Sequence, residues 1–229
     1  MKFLYLWLNL GSFIIPFIFS FHPRLNFYKK WKSLILGIIV MMAIFIPWDI
    51  IFTDNGFWGF NPAYLTGYYL LGLPVEEWLF FICIPYACIF THYALLEISP
   101  KFRFGQRTTH VIYISLITVL IIVLWYFYDR WYTLLSFVFC LLILAIVYNT
   151  RKQLLRSFFA TYLVILIPFL IVNGVLTGTG IEDQVVWYND NENLGKRILT
   201  IPVEDSIYNL GMLLTVLFVT ELSVKVKEM

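Results

Sequence analysis

The chain has 229 residues, of which 61% are hydrophobic, 20% aromatic and only 13% charged, and its mean hydropathy is +0.81. A soluble globule of this size has too little interior for that much apolar surface, so the excess faces lipid and the bilayer is a partner of this chain. A formal charge of +2 leaves no basic excess to hold nucleic acid. Cys83, Cys88 and Cys140 have no paired spacing and His22, His92 and His110 are scattered, so neither a disulfide scaffold nor a metal site is expected.

A helix needs about 20 mostly apolar residues to cross the hydrocarbon. Seven runs meet that length and are predicted as transmembrane helices: 3–21, 33–52, 76–96, 109–128, 131–148, 158–177 and 204–224. The first follows Lys2 but lacks a small-x-small cleavage site and leads straight to Arg24, Lys29, Lys30 and Lys32; it reads as a retained span. Basic residues mark the cytoplasmic side. They cluster after the first, third and fifth spans (Arg24 to Lys32; Lys101, Arg103, Arg107; Arg151, Lys152, Arg156) and in the tail at Lys225 and Lys227, which predicts an outer N-terminus and a cytoplasmic C-terminus.

Acidic residues take the other side. Asp49 lies at the outer end of the second span, Glu76 and Glu77 open the third, and Glu204 and Asp205 open the seventh. Ionisable groups at membrane depth cost about 2.5–3.5 kcal/mol on insertion scales, so each is a functional candidate. The structural alternative is that such carboxylates complement a helix dipole, worth about 0.3–1 kcal/mol.

An internal repeat favours function. Asn61, Gly67, Pro74, Val75 and Glu76 recur as Asn189, Gly195, Pro202, Val203 and Glu204, each displaced by 128 residues, and Glu77 and Phe80 become Asp205 and Tyr208. Trp58 is echoed by Trp187 with a one-residue shift, and Ile46-Pro47 by Ile167-Pro168. Four spans separate the copies, so the repeat is parallel. The expected fold is an all-α integral membrane protein of seven transmembrane helices: two parallel three-helix repeats, 1–108 and 131–229, joined by a linker helix at 109–130. Pairing about an axis along the membrane normal brings both acidic pairs to one outer-leaflet cavity.

On a helix, Glu77 shares a face with Phe80 and Phe81, and Asp205 with Tyr208 and Asn209. A carboxyl group among aromatic rings in an apolar setting is a usable proton donor, and the rings can hold a cation. The first outer loop adds Phe57, Trp58, Phe60, Tyr64, Tyr68 and Tyr69, through interfacial anchoring or as a flap over a greasy pocket.

The strings Gly-Phe-Trp-Gly-Phe-Asn-Pro (56–62), Leu-Pro-Val-Glu-Glu-Trp-Leu-Phe-Phe (73–81), Asn-Gly-Val-Leu-Thr-Gly (173–178), Val-Val-Trp-Tyr-Asn (185–189) and Thr-Ile-Pro-Val-Glu-Asp-Ser-Ile-Tyr (200–208) resemble the membrane-type lycopene cyclase domain family, in its tandem form. The resemblance implies an enzyme of a bacterial cytoplasmic membrane that closes the acyclic ends of lycopene into ionone rings, usually β-rings, giving γ- and β-carotene, with other carotenoid enzymes as further partners. It also implies that the Pro-x-Glu-Glu/Asp motifs are essential, here Glu76, Glu77, Glu204 and Asp205. Trp58, Asn61, Phe80, Phe81, Trp187, Asn189, Tyr208 and Asp49 are the candidates for substrate and cation stabilisation. Ring closure involves no redox change and the chain lacks a Gly-x-Gly-x-x-Gly fingerprint, so no flavin or other cofactor is expected. A related carotenoid hydratase shares the proton-first step. An intramembrane prenyltransferase is weakly matched by Asp49-x4-Asp54, and a retinal receptor is excluded because the last span, 204–224, contains no lysine.

Overall fold

The structure, a computed structural model, describes residues 2–226; Lys227 of the basic tail lies outside the described residues. In chain order the elements are α1 (Leu4–Phe19), α2 (Trp31–Asp54), β1 (Trp58–Phe60), β2 (Tyr69–Leu70), β3 (Leu73–Pro74), α3 (Val75–Ile98), α4 (Gln106–Phe127), α5 (Trp131–Leu176), β4 (Val186–Tyr188), β5 (Arg197–Ile198), β6 (Ile201–Pro202) and α6 (Val203–Val226). Among the described residues five helical segments are long and apolar enough to cross a membrane: Phe27–Asp54, Val75–Ile98, Gln106–Phe127, Trp131–Leu176 and Val203–Ser223. Leu4–Phe19 is apolar but has only 16 residues.

The expected fifth and sixth spans are one element here. α5 runs for 46 residues, about 70 Å if straight and more than twice the hydrocarbon thickness. It is not straight: Arg151 has φ −144° and ψ 45°, which breaks it into arms 131–150 and 152–176. The basic stretch read as a loop is helical on both sides of that single residue.

α6 is the central helix. It packs on α2 and α5, while α1 lies against α3 and α4 leans on α5. Gly37 makes the α2–α6 approach possible, since a Cβ there would sit 2.7 Å from the Val216 carbonyl oxygen. Phe45, Phe81, Leu144, Phe158, Leu213 and Leu217 fill the shared core, whereas Ile121, Ile122, Trp125 and Tyr126 of α4 are exposed, as befits side chains that meet lipid. The basic connections gather at one end: the Arg24 guanidinium donates to the carbonyls of Glu97 and Ile98, and the Phe104 N–H donates to the Arg156 carbonyl at 3.0 Å.

The acidic end corrects the all-α expectation. There the two long loops form three two-stranded antiparallel ladders, β1–β4, β2–β3 and β5–β6, which pair loop backbone groups with one another. β1 and β4 pair Trp58 with Tyr188, Gly59 with Trp187 and Phe60 with Val186. Under the 128-residue displacement the outer pairs exchange and the central pair maps onto itself. The flanking bonds exchange as well: Asn61 N–H to the Val185 carbonyl at 2.8 Å, Asn189 N–H to the Phe57 carbonyl at 2.9 Å. The ladder is thus a local two-fold axis through Gly59 and Trp187. The left-handed residues Gly67 and Leu71 (φ 88° and 52°) have counterparts in Gly195 and Leu199 (φ 62° and 58°).

That register corrects the Trp58–Trp187 echo. Trp58 corresponds to Val186, and Trp187 to Gly59, over which its indole lies: a Cβ on Gly59 would come within 2.4 Å of the ring. Gly59→Val is expected to cost about 1–3 kcal/mol through overpacking, read as a lower thermal midpoint in detergent.

The ends of α2 and α5 also match, at an offset of 122: Asn55 and Thr177 donate to Ile51 and Asn173, and Phe57 and Thr179 to Phe52 and Gly174. The change from 122 to 128 is a six-residue insertion in the second loop, before Val185.

Candidate active site

Pro74 and Pro202 each end a β-strand, and the next residues, Val75 and Val203, begin α3 and α6. The first turns therefore carry Glu76, Glu77 and Glu204, Asp205, where carboxylates meet the positive end of the helix dipole. All four are buried, but adjacent helical residues point about 100° apart, and the two members of each pair do different work.

Glu76 and Glu204 fasten loops. Glu76 Oε1 accepts the Thr66 N–H at 2.6 Å, and Glu204 Oε1 accepts the Leu194 N–H at the same 2.6 Å together with the Thr133 hydroxyl at 2.7 Å. Thr66 and Leu194 are related by the 128-residue displacement. Removing the acceptor leaves a buried N–H unpaired, at about 1–3 kcal/mol. Glu76→Ala and Glu204→Ala should therefore lower the thermal midpoint, with activity per folded molecule within about tenfold of the parent.

Glu77 and Asp205 reach a common cavity of about 60 Å³. Tyr5 donates its phenol proton to Glu77 Oε2 at 2.5 Å, and Tyr132 donates to Asp205 Oδ1 at 2.5 Å. The pairs are counterparts, with the tyrosines 127 residues apart on α1 and α5. They are not equal. Among the described residues Glu77 receives this one side-chain donor, whereas Asp205 Oδ2 also accepts Asn173 Nδ2 at 2.7 Å and the Tyr188 hydroxyl at 3.0 Å. Burial, reinforced by Asp205, pushes the Tyr188 phenol well above its usual pKa, which keeps it protonated and donating. A third acid, Asp49, lines the same cavity and accepts the Trp58 indole N–H at 2.6 Å; its other oxygen has no protein partner among the described residues.

The walls are aromatic. Trp58, Phe60, Phe80, Tyr132, Tyr188 and Tyr208 surround the acids, with the Trp58 ring 5.1 Å from Tyr132, 6.1 Å from Tyr188 and 6.5 Å from Tyr208. Ring faces at this spacing attract a positive charge.

Of the residues expected from sequence, Glu77, Asp205, Asp49, Trp58, Phe80 and Tyr208 line this cavity. The others lie elsewhere. Phe81 is buried against Phe45. Asn61 accepts the Ala63 N–H at 3.0 Å and Asn189 the Asn191 N–H at 3.1 Å, so both shape equivalent turns. Trp187 covers Gly59. Asp54 is exposed while Asp49 is buried, so they do not form one diphosphate site. Sequence reasoning missed Tyr5, Tyr132, Tyr188, Phe169 and Asn173. Tyr5 and Tyr132 were detectable, had the repeat been followed upstream into the first and fifth spans.

Fold and site define a helical membrane protein in which two related regions each deliver a carboxyl–phenol pair to one buried, ring-lined cavity. The family model described as lycopene cyclase matches residues 2–95 and 129–223. The chain belongs to that family, as an enzyme of carotenoid biosynthesis. No curated protein and no solved structure matches it.

Proposed function

We propose that this protein is a lycopene β-cyclase, converting the acyclic ends of lycopene into β-ionone rings by proton-initiated, non-redox cyclisation inside the membrane. The observation that carries the proposal is the convergence of two unequal acids on one aromatic cavity: Glu77 with a single side-chain donor and Asp205 with three.

Ring closure needs an acid, a dry cation site and a base. Glu77, with Tyr5 positioning its carboxyl group, is the proton donor to the terminal double bond of the substrate. The tertiary cation lies against Trp58, Tyr208 and Phe80, where a desolvated cation–π contact is worth about 2 kcal/mol. The internal alkene attacks that cation, and the ring then loses a neighbouring proton to Asp205. Three donors on one carboxyl group suit its acceptor-only, ionised form, which makes Asp205 the base. One proton enters and one leaves, so the product is an isomer of the substrate and no electron carrier is consumed. Proton exchange with water resets both acids, Glu77 regaining a proton and Asp205 releasing one. Asp49, held by the Trp58 indole N–H, presents its other carboxyl oxygen to the same cavity.

The same proposal extends to the architecture. α1, the two arms of α5 and the four other long helices make seven crossings, with units 1–108 and 131–229 on either side of a connector at 109–130. Most of the basic residues lie at the end opposite the acids, which supports an outer N-terminus in a cytoplasmic membrane.

Expression in a host that accumulates lycopene, followed by chromatography of the pigments, tests the function. Conversion to γ- or β-carotene is expected. Hydroxylated acyclic products would assign a hydratase instead, and unchanged lycopene would overturn the proposal.

A further inference from the structure

A second, larger hollow adjoins the acid cavity. It occupies about 360 Å³ between α1, α3 and the second arm of α5, and its walls include Trp7, Gly11, Ala87, Ile165 and Val172. It shares Phe80, Phe169 and Asn173 with the acid cavity, so the two spaces meet at those side chains. Trp7 stands exposed beside it, and Gly11 leaves it open, since nothing lies within 4 Å of where a Cβ would be.

The internal repeat supplies a control. The related surface lies between the first arm of α5, α6 and α2, where Gly11 and Ser12 become Val138 and Phe139, Phe80 becomes Tyr208, and Phe169, next after Ile167-Pro168, is matched by Trp48, next after Ile46-Pro47. That surface is filled. Phe139 and Tyr208 each stand 4.9 Å from Phe45, and Trp48 is 5.2 Å from Tyr208 and 6.3 Å from Phe139. The Phe139 ring also lies against α6, 3.1 Å from where a Cβ on Gly211 would stand. Divergence of the two copies has plugged one approach and left the other open.

We propose that the open groove holds the polyene chain of the substrate while one end group occupies the acid cavity, with Phe80 and Phe169 at the passage between them. This rests on the cyclase reading and deepens it. The groove is apolar, opens beside the exposed Trp7 toward the side where a carotenoid dissolved in lipid would approach, and shares the Phe80, Phe169 and Asn173 wall with the acid cavity. A symmetric two-ended hydrocarbon that enters through this approach presents one end per visit, so the monocyclic product leaves and returns reversed before the second ring forms.

The test is a series at Gly11 (Ala, Leu, Phe), assayed in liposomes carrying lycopene, with thermal midpoints measured alongside. The Ala variant, which adds the least bulk, is expected to lose the least activity. Gly11→Leu and Gly11→Phe should lose activity progressively, by about tenfold or more in kcat/KM for Phe, at unchanged thermal midpoint because the added atoms enter open space. In a time course, free monocyclic carotenoid should build up before bicyclic product, and added unlabelled monocycle should dilute label out of the bicyclic product. Full activity in Gly11→Phe would overturn the groove assignment. Bicyclic product that forms without exchange with added monocycle would overturn the one-end-per-visit scheme. A parent protein that leaves lycopene unchanged would instead fail the cyclase reading itself, so the two failures are distinguishable.

Discussion

Glu77→Gln should slow ring formation by orders of magnitude while leaving a folded, membrane-inserted protein. The amide keeps the shape of the carboxyl group, and its carbonyl still accepts the Tyr5 hydroxyl that lies 2.5 Å from Glu77; it lacks only the proton to donate. General acid catalysis contributes about 10²–10⁴-fold, so turnover should fall by that factor with lycopene retention and thermal midpoint near those of the parent. The assay is initial rate in liposomes beside a detergent melt. A variant that keeps parental turnover would remove Glu77 from the proton-donor role.

Asp205→Asn should be equally inactive but also less stable. Tyr132, Tyr188 and Asn173 all point donors at this one side chain. An asparagine there offers one acceptor oxygen and turns an NH₂ group toward at least one of those donors. A buried donor left without an acceptor costs about 1–3 kcal/mol, and the base is lost at the same time. The expected result is a turnover loss of about 10²–10⁴-fold together with a lowered thermal midpoint. Glu77→Gln loses chemistry alone, whereas Asp205→Asn loses chemistry and stability, and this contrast follows from the unequal donor sets of two otherwise corresponding acids. Parental stability in Asp205→Asn would contradict the three-donor geometry.

The helices, the sidedness of charge and the duplication of the acidic motif are all legible in the residue pattern, because apolar length, basic clustering and a fixed 128-residue offset need no tertiary information. The division of labour within each acidic pair is not. Glu76 and Glu77 are adjacent and chemically alike, and only the rotation of α3 against its neighbours turns one to the loop backbone and the other to the cavity. The β1–β4 ladder is equally silent, since three-residue strands carry too little alternation to be read. The break at Arg151 is a single residue within a helical stretch, and basic side chains there look like a loop. Tyr5 and Tyr132 lie between these extremes: their pairing is written in the repeat, but a tyrosine near a membrane boundary is so common an interfacial anchor that its bond to a buried carboxyl group appears only once that acid is placed.

The central claim is that buried acids start ring closure by donating a proton, with no electron carrier. Its most direct test is purified protein in liposomes with lycopene, in D₂O, with neither flavin nor nicotinamide added, followed by mass analysis of the pigments. Cyclic products that carry one deuterium for each ring formed, and no other change in composition, are the predicted result. Lycopene returned unchanged, or products that have gained oxygen, would contradict it.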